Sequence, residues 1–334
     1  MESHIINQLN PKQKKAIEKI NGPSIILAGA GSGKTRVLVS KVINLIENYH
    51  VQPSSIIMIT FTNKAASEMK SRIKNYRLGF IGTFHSFCVR ILRIEGQAAG
   101  LKNNFLIYDD NDQISLIKMA IKKLDIGKKY TPAYYLNRIS GAKNMLISPL
   151  RYFELFSDSV SKDIGLVYNE YQQELKKNSA LDFDDLIMTT ISLFNKNNNI
   201  LSKYQDKYRY ILVDEFQDTN YAQYILTKLL GKKYQNVTIV GDFSQSIYSW
   251  RGAEIKNLEK FETDFSSVET FYLEENYRST QIILDFAFQV ISKNSTHPIL
   301  NLFTKKKGGG RRSVFLKRKM RRKKQFISRP LLII

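Results

Sequence analysis

The sequence predicts an α/β fold, a parallel sheet with helices on both faces, interrupted by a mostly helical insertion. Three observations predict it. Strand-sized apolar runs recur, each followed by a helical pattern. The first of them enters a glycine-rich turn that opens a helix. Between about residues 88 and 195 strand signals thin out and helical spacing takes over.

The first run is Ser24-Ile25-Ile26-Leu27, and the helical pattern after the turn begins at Arg36-Val37-Leu38-Val39-Ser40-Lys41-Val42. Between them stands Ala28-Gly29-Ala30-Gly31-Ser32-Gly33-Lys34-Thr35. A strand that feeds such a turn and a helix points backbone N–H groups at a β-phosphate. In that arrangement Lys34 reaches the β/γ oxygens and Thr35 ligates Mg²⁺. Ala28 occupies the first glycine position of the usual G-x-x-x-x-G-K-[ST] pattern, and its small side chain leaves room for the turn. The bland alternative is a chance glycine-rich hairpin or helix cap, which does not require the strand and helix signals on either side. The segment therefore points to a nucleoside triphosphate.

Further strand-like runs are Ser55 to Thr60, Tyr210 to Val213 and Val237 to Val240. Within the insertion, Asp112 to Leu124 and Asp163 to Lys177 have helical spacing, and Asn195 to Asn199 reads as a polar loop. No internal repeat is visible.

With 334 residues, 43% of them hydrophobic, the chain is long enough for one large or two ordinary cores. Its longest apolar runs are strand-sized, so a membrane span is not expected. Met1-Glu2-Ser3-His4 lacks the basic-then-apolar order of a secretion signal. One cysteine, Cys88, excludes an internal disulfide framework, and the four histidines have no zinc spacing. A reduced, cytoplasmic setting is the expectation.

The formal net charge is +21, unevenly spread. Residues 305–334 hold 13 Lys/Arg and no acid, so residues 1–304 carry only +8. That mildly basic body suits nucleic acid. The tail has two readings: a basic arm for DNA, or a one-base slip through a Glu/Lys-coding stretch. The slip is preferred, because every Asp and Glu disappears after Asp285.

Ile211-Leu212-Val213-Asp214-Glu215 ends a buried run in two carboxylates. At the carboxyl end of a strand beside a phosphate loop, the first acid holds Mg²⁺ through water and the second orients and deprotonates the attacking water. Gly241-Asp242-Phe243-Ser244-Gln245 closes the next run in similar fashion. There Gln245 either senses a γ-phosphate or caps the following helix. Tyr248, Trp250 and Arg251 come next. Aromatics at such spacing are usually core, but the chain's single Trp beside an Arg also suits stacking on unpaired bases.

Three more segments suit a DNA track. Thr60-Phe61-Thr62-Asn63-Lys64 ends a strand and opens a helix, with Thr62 as N-cap and free N–H groups for a phosphate. Gly82 to Phe87, with His85, repeats the mixture of small polar and aromatic residues. Leu181-Asp182-Phe183-Asp184-Asp185-Leu186 reads equally well as an ordinary helix start with acids near the dipole.

Taken in order, these segments resemble the motifs of superfamily 1A DNA helicases, the UvrD/PcrA/Rep group, over residues 5–302. Leu9-Asn10-Pro11-Lys12-Gln13 resembles the adenine-reading Q motif, with Gln13 the reader, and Ala28 to Thr35 resembles motif I. Thr60 to Ala66 resembles motif Ia, Gly82 to Phe87 motif Ib, and Asp182 to Leu186 the segment at the inner edge of the helical insertion. Val213 to Asn220 resembles motif II, Gly241 to Ala253 motif III, and Leu273-Glu274-Glu275-Asn276-Tyr277-Arg278-Ser279-Thr280 motif IV.

The resemblance implies a RecA-like P-loop NTPase motor domain at residues 1–87 and 196–278, with a helical insertion at 88–195. Residues 279–304 would begin a second motor domain, followed by the basic tail at 305–334. It implies that ATP and Mg²⁺ are used. Lys34, Glu215, Gln245 and Arg278 would serve hydrolysis, and Thr35 and Asp214 would hold the metal. Gln13, residues 28–36 (Ala28, Gly29, Ala30, Gly31, Ser32, Gly33, Lys34, Thr35, Arg36), Tyr277 and Arg278 would take the nucleotide. Tyr277 would stack on adenine, and Arg278 would contact the γ-phosphate. Phe61, Thr62, Asn63, Lys64, His85, Phe183, Tyr248, Trp250 and Arg251 would bind DNA, and Arg251 would join the two sites. The implied partners are single-stranded DNA and 3′-tailed duplex DNA, with translocation from 3′ to 5′.

Two departures stand out. Ser244 occupies a position where relatives usually carry Asp. The chain also stops just after motif IV, whereas family members continue into a second motor domain. The expectation is therefore a chain that binds ATP, hydrolyses it weakly or not at all, and does not unwind. The rivals are a non-enzymatic single-stranded DNA-binding fragment and an unrelated P-loop ATPase.

Overall fold

The computed structural model describes residues 6–102, 104–127, 130–246, 252, 254, 256–293 and 298–306. The expected DNA contacts Tyr248, Trp250 and Arg251, and nearly all of the basic tail, lie outside the described residues.

The chain starts with α1 (Pro11–Glu18), β1 (Ser24–Ala28), α2 (Lys34–Glu47), β2 (Ile56–Thr60), α3 (Asn63–Arg72), β3 (Phe80–Thr83) and α4 (Phe84–Glu95). An excursion follows through β4 (Leu106–Ile107), α5 (Asp110–Lys123), α6 (Pro132–Asn144), α7 (Pro149–Leu155), α8 (Ser159–Lys177) and β5 (Ala180–Leu181). The return runs through α9 (Phe183–Lys196), α10 (Asn198–Lys207), β6 (Tyr210–Val213), α11 (Tyr221–Gly231), β7 (Val237–Gly241), α12 (Asn257–Asp264), β8 (Glu269–Leu273) and α13 (Gln281–Ile291).

Six strands form one sheet in the order β3-β2-β6-β7-β1-β8, and every pairing is parallel. Burial on both faces explains the unbroken apolar runs. Alternate residues go to opposite layers. Ile25, Leu27, Ile57, Ile59, Ile211 and Val213 pack with α4, α9 and α11. Ile26, Ala28, Ile56, Met58 and Leu212 pack with α1 and α2.

The edge strands β3 and β8 lack such a run. Phe80 to Thr83 is half covered at its start, and Glu269 to Leu273 is fully buried only at Leu273, so neither reads as a buried apolar run. The polar loop expected at Asn195 to Asn199 shrinks to Asn197, because α9 and α10 continue to either side of it.

The helical excursion has its own core, in which Leu116, Ile117, Tyr135, Ile139, Ile164, Val167, Tyr168 and Tyr171 meet. This core is narrower than residues 88–195. α4 buries Phe87, Cys88, Ile91 and Leu92, and α9 buries Leu186, Ile187, Ile191 and Phe194, all in the sheet cluster. Texture alone places these helices with the insertion, but their amphipathic faces place them on the sheet.

One buried ion cluster ties the two cores together. The Lys143 ammonium on α6 lies 2.6 Å from Asp182 and 2.8 Å from Asp185, and its side chain is fully buried. Tyr171 donates to Asp182 at 2.8 Å, and Gln172 donates to both oxygens of Asp185 at 3.0 Å. Burial disfavours the ammonium, but the two carboxylates outweigh it and keep Lys143 charged. A second buried cation, Lys41 on α2, has no carboxylate in contact among the described residues. It donates to the Ala16 carbonyl at 3.2 Å and the Ser24 hydroxyl at 3.4 Å, and burial, aided by Lys19, lowers its pKa to about 7.

Removing Lys143 leaves two carboxylates buried without their counterion. Lys143→Ala is therefore expected to cost about 3–5 kcal/mol in urea unfolding, and a loss under 1 kcal/mol would disprove the lock. Lys41 works in the opposite direction. Unfolded, it keeps its proton to about pH 10.4, whereas folded it gives the proton up near pH 7. Between those values the unfolded chain binds more protons, so this residue makes stability rise with pH. In Lys41→Met that rise, at most about 1.4 kcal/mol per pH unit, should vanish between pH 7 and 9. Parallel stability curves for the two proteins would refute it.

Candidate nucleotide site and strand-binding edge

Because all six strands run the same way, their carboxyl ends share one edge, where ligands of open parallel sheets collect. The segments at 28–35, 60–66, 82–87, 213–220, 241–246 and 273–280 each follow one of its strands at this edge.

After β1, Gly31 and Gly33 take φ of 73° and 90°, in the left-handed region that glycine adopts without strain. Ser32 donates from both its backbone nitrogen (3.1 Å) and its hydroxyl (2.7 Å) to the Gly29 carbonyl. Gly33 caps α2 without a side chain, so no side chain competes for the first N–H groups of Lys34, Thr35 and Arg36. That is an anion cradle made of backbone.

Lys34 stands 3.1 Å from a Glu215 carboxylate oxygen. The Asp214 backbone nitrogen donates to the Ile59 carbonyl at 2.8 Å, which fixes Asp214 at the end of β6. Glu215 then takes φ 50° and ψ 46°, a left-handed conformation that costs a non-glycine residue energy. Asp214 is 4% exposed, and among the described residues its Oδ1 has no hydrogen-bond partner. Burial, then Glu215, raise its pKa to about 7 against the pull of Lys34. Burial and Glu215 likewise raise Asp218 to about 6, and burial raises Asp242.

Gln217 joins the second and third motif loops. Its Nε2 donates to Glu215 (2.8 Å) and Asp218 (3.4 Å), and its Oε1 accepts from the Asp242 backbone at 3.1 Å. Asp242 caps the short turn after β7 by accepting from Ser244 at 3.1 Å, and it also accepts from the Gln245 amide. Gln245 ends that turn, held by Asp242, and the residues it would cap lie outside the described residues.

A third loop closes over the cradle. Tyr277 donates from its backbone nitrogen to the Gly31 carbonyl at 2.9 Å. Asn276 donates its amide to the Ala30 carbonyl, and its Oδ1 accepts from the backbone of Arg278 (2.8 Å) and Ser279 (2.7 Å). A Cβ on Gly31 would stand 2.7 Å from the Arg278 Cβ, so only glycine permits this approach. Asn10 donates to the Tyr277 hydroxyl at 2.8 Å and accepts from the Gln13 backbone at 2.8 Å. Gln13 accepts from the Asn10 backbone (3.1 Å) and donates to the Ser32 carbonyl (2.9 Å), which leaves one further donor and acceptor position on its amide. Arg36 donates to Gln8 at 2.8 Å. Gln13 and Tyr277 thus flank one side of the loop, while Arg278 is exposed beside it.

At the other end of the same edge, Thr62 caps α3 by accepting from Ala65 at 3.1 Å, and Asn63 and Lys64 are exposed in the first turn. Thr83 caps α4 through Ser86 at 3.2 Å. His85 packs edge-on against Phe183, with ring centroids 5.8 Å apart and planes at 90°. Phe183 follows the Asp182 cap of α9 and is 44% exposed.

Mg²⁺ in such a site takes one or two carboxylates and the substrate's phosphates. The orphaned Asp214 oxygen and the hydroxyl of Thr35 fit that donor set. Among the described residues no group of three or more His, Cys, Asp or Glu could hold a metal ion alone. Asn10, Gln217 and Asn276 were not singled out individually by sequence. Each acts through an amide that ties two loops together, and a single chain carries no local mark of that.

Residues 9–266 match the UvrD/REP helicase N-terminal domain. The chain is 46% identical over 311 residues to the ATP-dependent DNA helicase PcrA of Staphylococcus aureus, covering 91% of this chain and 43% of that protein. The PcrA helicase of Staphylococcus epidermidis matches to the same extent. Among solved structures, the Pif1 helicase of Candida albicans is similar at a TM-score of 0.36 and 13% identity, over 83% of this chain and 42% of that one, a likeness that carries no argument. The chain thus spans under half the length of the curated relatives it matches, and it belongs to the UvrD/REP helicase family.

Proposed function

We propose that this chain is the ATP-binding motor half of a 3′-to-5′ DNA helicase, acting on single-stranded and 3′-tailed duplex DNA. The observation that carries this reading is the Lys34–Glu215 pair at 3.1 Å beside an unpartnered, buried Asp214 oxygen. They support reading Lys34 as the phosphate cation, Glu215 as the base and Asp214 as the metal ligand of one site.

Each residue then has a task. Residues 29–36 bind the phosphates through backbone N–H groups. Lys34 is shared between Glu215 and the γ-phosphate, and as it moves to the phosphate it frees the Glu215 carboxylate to orient and deprotonate water. Thr35 and Asp214 hold Mg²⁺, which neutralises charge developing on the phosphate oxygens. Gln217 keeps Glu215 in line with Asp242 and Gln245, so a shift at either loop reaches the other. Gln13 and Tyr277 take the adenine, and Arg278 approaches the γ-phosphate. Phe61, Thr62, Asn63, Lys64, His85 and Phe183 take the unpaired strand, as do Tyr248, Trp250 and Arg251. Stepping along DNA requires two motor domains that close on ATP and reopen. Binding of nucleotide and strand is therefore assigned to this chain, and unwinding to a protein of the relatives' full length.

Lys34→Ala should weaken binding of a fluorescent ATP analogue about 10- to 100-fold, since a charge-assisted hydrogen bond contributes about 1.5–3 kcal/mol. Equal affinity in wild type and variant would remove the nucleotide reading. Phe183→Ala should weaken binding of both dT and dA homopolymers, because stacking is worth about 1–3 kcal/mol per base whatever the base. Anisotropy titrations unchanged by the substitution would take Phe183 out of the strand path.

A further inference from the structure

A groove with a cavity of about 420 Å³ lies on the far side of α3, against the free edge of β3. Lys70, Lys74 and Arg90 line it together with Tyr76 and Phe80. None of the ligand-binding roles argued above uses it. We propose that this groove is an accessory subsite for single-stranded nucleic acid, holding the phosphates and a base of strand that has passed the N-terminal turn of α3. The proposal rests on the strand path assigned under Proposed function.

Charge comes first. Among the described residues no carboxylate pairs with Lys70, Lys74 or Arg90, whereas nearby Arg72 is paired with Glu68. Tyr76 donates its hydroxyl to Glu47 at 2.8 Å. Arg90 donates to the Gly79 carbonyl at 3.0 Å, and its guanidinium lies 6.0 Å from the Phe80 ring centre, so it is held at the groove wall. Lys207 adds to the same field: burial lowers its pKa, and Arg90 and Lys203 lower it further. Three uncompensated cations at one cavity favour a polyanion.

Shape and position select the kind of polyanion. Tyr76 and Phe80 are half-buried and give the cations aromatic neighbours, the mixture that binds unpaired bases without regard to sequence. Asn63, Ser67 and Lys70 are exposed and share one face of α3 at i, i+4 and i+7. That face leads from the Thr62 cap to the groove along a helix about 15 Å long.

The test compares wild type with Lys70→Ala/Lys74→Ala, using labelled dT oligomers of about 8 and about 20 nucleotides, which bracket one and several contacts. Both lysines are exposed, so the fold should be retained, and a thermal melt verifies this. The double variant should bind the long oligomer about tenfold more weakly, with a salt slope smaller by about 2. It should bind the short one like wild type. Identical long-oligomer affinity and salt slope in both proteins would overturn the proposal. So would polyglutamate binding that the double variant loses while it keeps dT, since the groove would then take an acidic protein. Phe61→Ala is the control on the path itself. If it weakens neither oligomer, the primary strand path fails, whereas the groove is judged by the lysine variant alone.

Discussion

One ammonium organises the carboxyl edge of this sheet. Lys34 pairs with Glu215, and its charge also offsets the raised pKa of Asp214, Asp218 and Asp242. So many carboxylates near one cation would repel one another in the low-dielectric interior were they all ionised. The balance moves with whatever enters. An anion bound at the cradle would draw Lys34 away, and a divalent cation there would allow the acids to ionise. The strained left-handed backbone of Glu215 is tolerated because Gln217 anchors that residue to two loops at once.

The geometry behind this balance comes from the parallel sheet, and much of it is legible in the sequence. Runs such as Ile211-Leu212-Val213 are buried on both faces and so announce themselves, and the acids that follow fall at the edge by chain direction alone. The glycine-rich turn is legible for a different reason, since positive φ at Gly31 and Gly33 requires that residue type. Edge strands β3 and β8 are not legible, because one side of each faces solvent or a loop and the apolar run is broken. Which core each helix near the ends of the insertion packs into is not legible either. α4 and α9 look like their helical neighbours, and only three-dimensional packing shows that Phe87, Ile91, Ile187 and Phe194 belong to the sheet.

The insertion is nevertheless bound closely to the site. Lys143 grips the first turn of α9, from which Phe183 reaches His85. The neighbouring Asn144 accepts at 2.6 Å from Asn220, the cap of α11 and the last residue of the second motif. Gly252 packs against the same pair, since a Cβ there would lie 3.5 Å from Asn144 and 3.7 Å from Asn220. The end of α6 therefore touches, within two residues, an element carrying the exposed Phe183 ring and an element that follows Asp214 and Glu215. Rigid contacts of this kind make a displacement at one site a displacement at the other.

A second route runs through the chain's last described segment. Phe303 donates to the Glu274 carbonyl at 3.1 Å and accepts from the Asn276 backbone at 2.7 Å, so residues 302–304 lie alongside the loop that covers the cradle. Leu302 sits so close to Gly29 that a Cβ there would be 2.4 Å from it. Thr304 in turn donates to Gln281 at the start of α13, whose Ile282, Ile283 and Val290 are exposed. The phosphate loop is thus one contact from a segment fastened to an apolar helix facing solvent. Burying that helix would act on Gly29 through Leu302, because a close-packed contact transmits displacement where a looser one absorbs it.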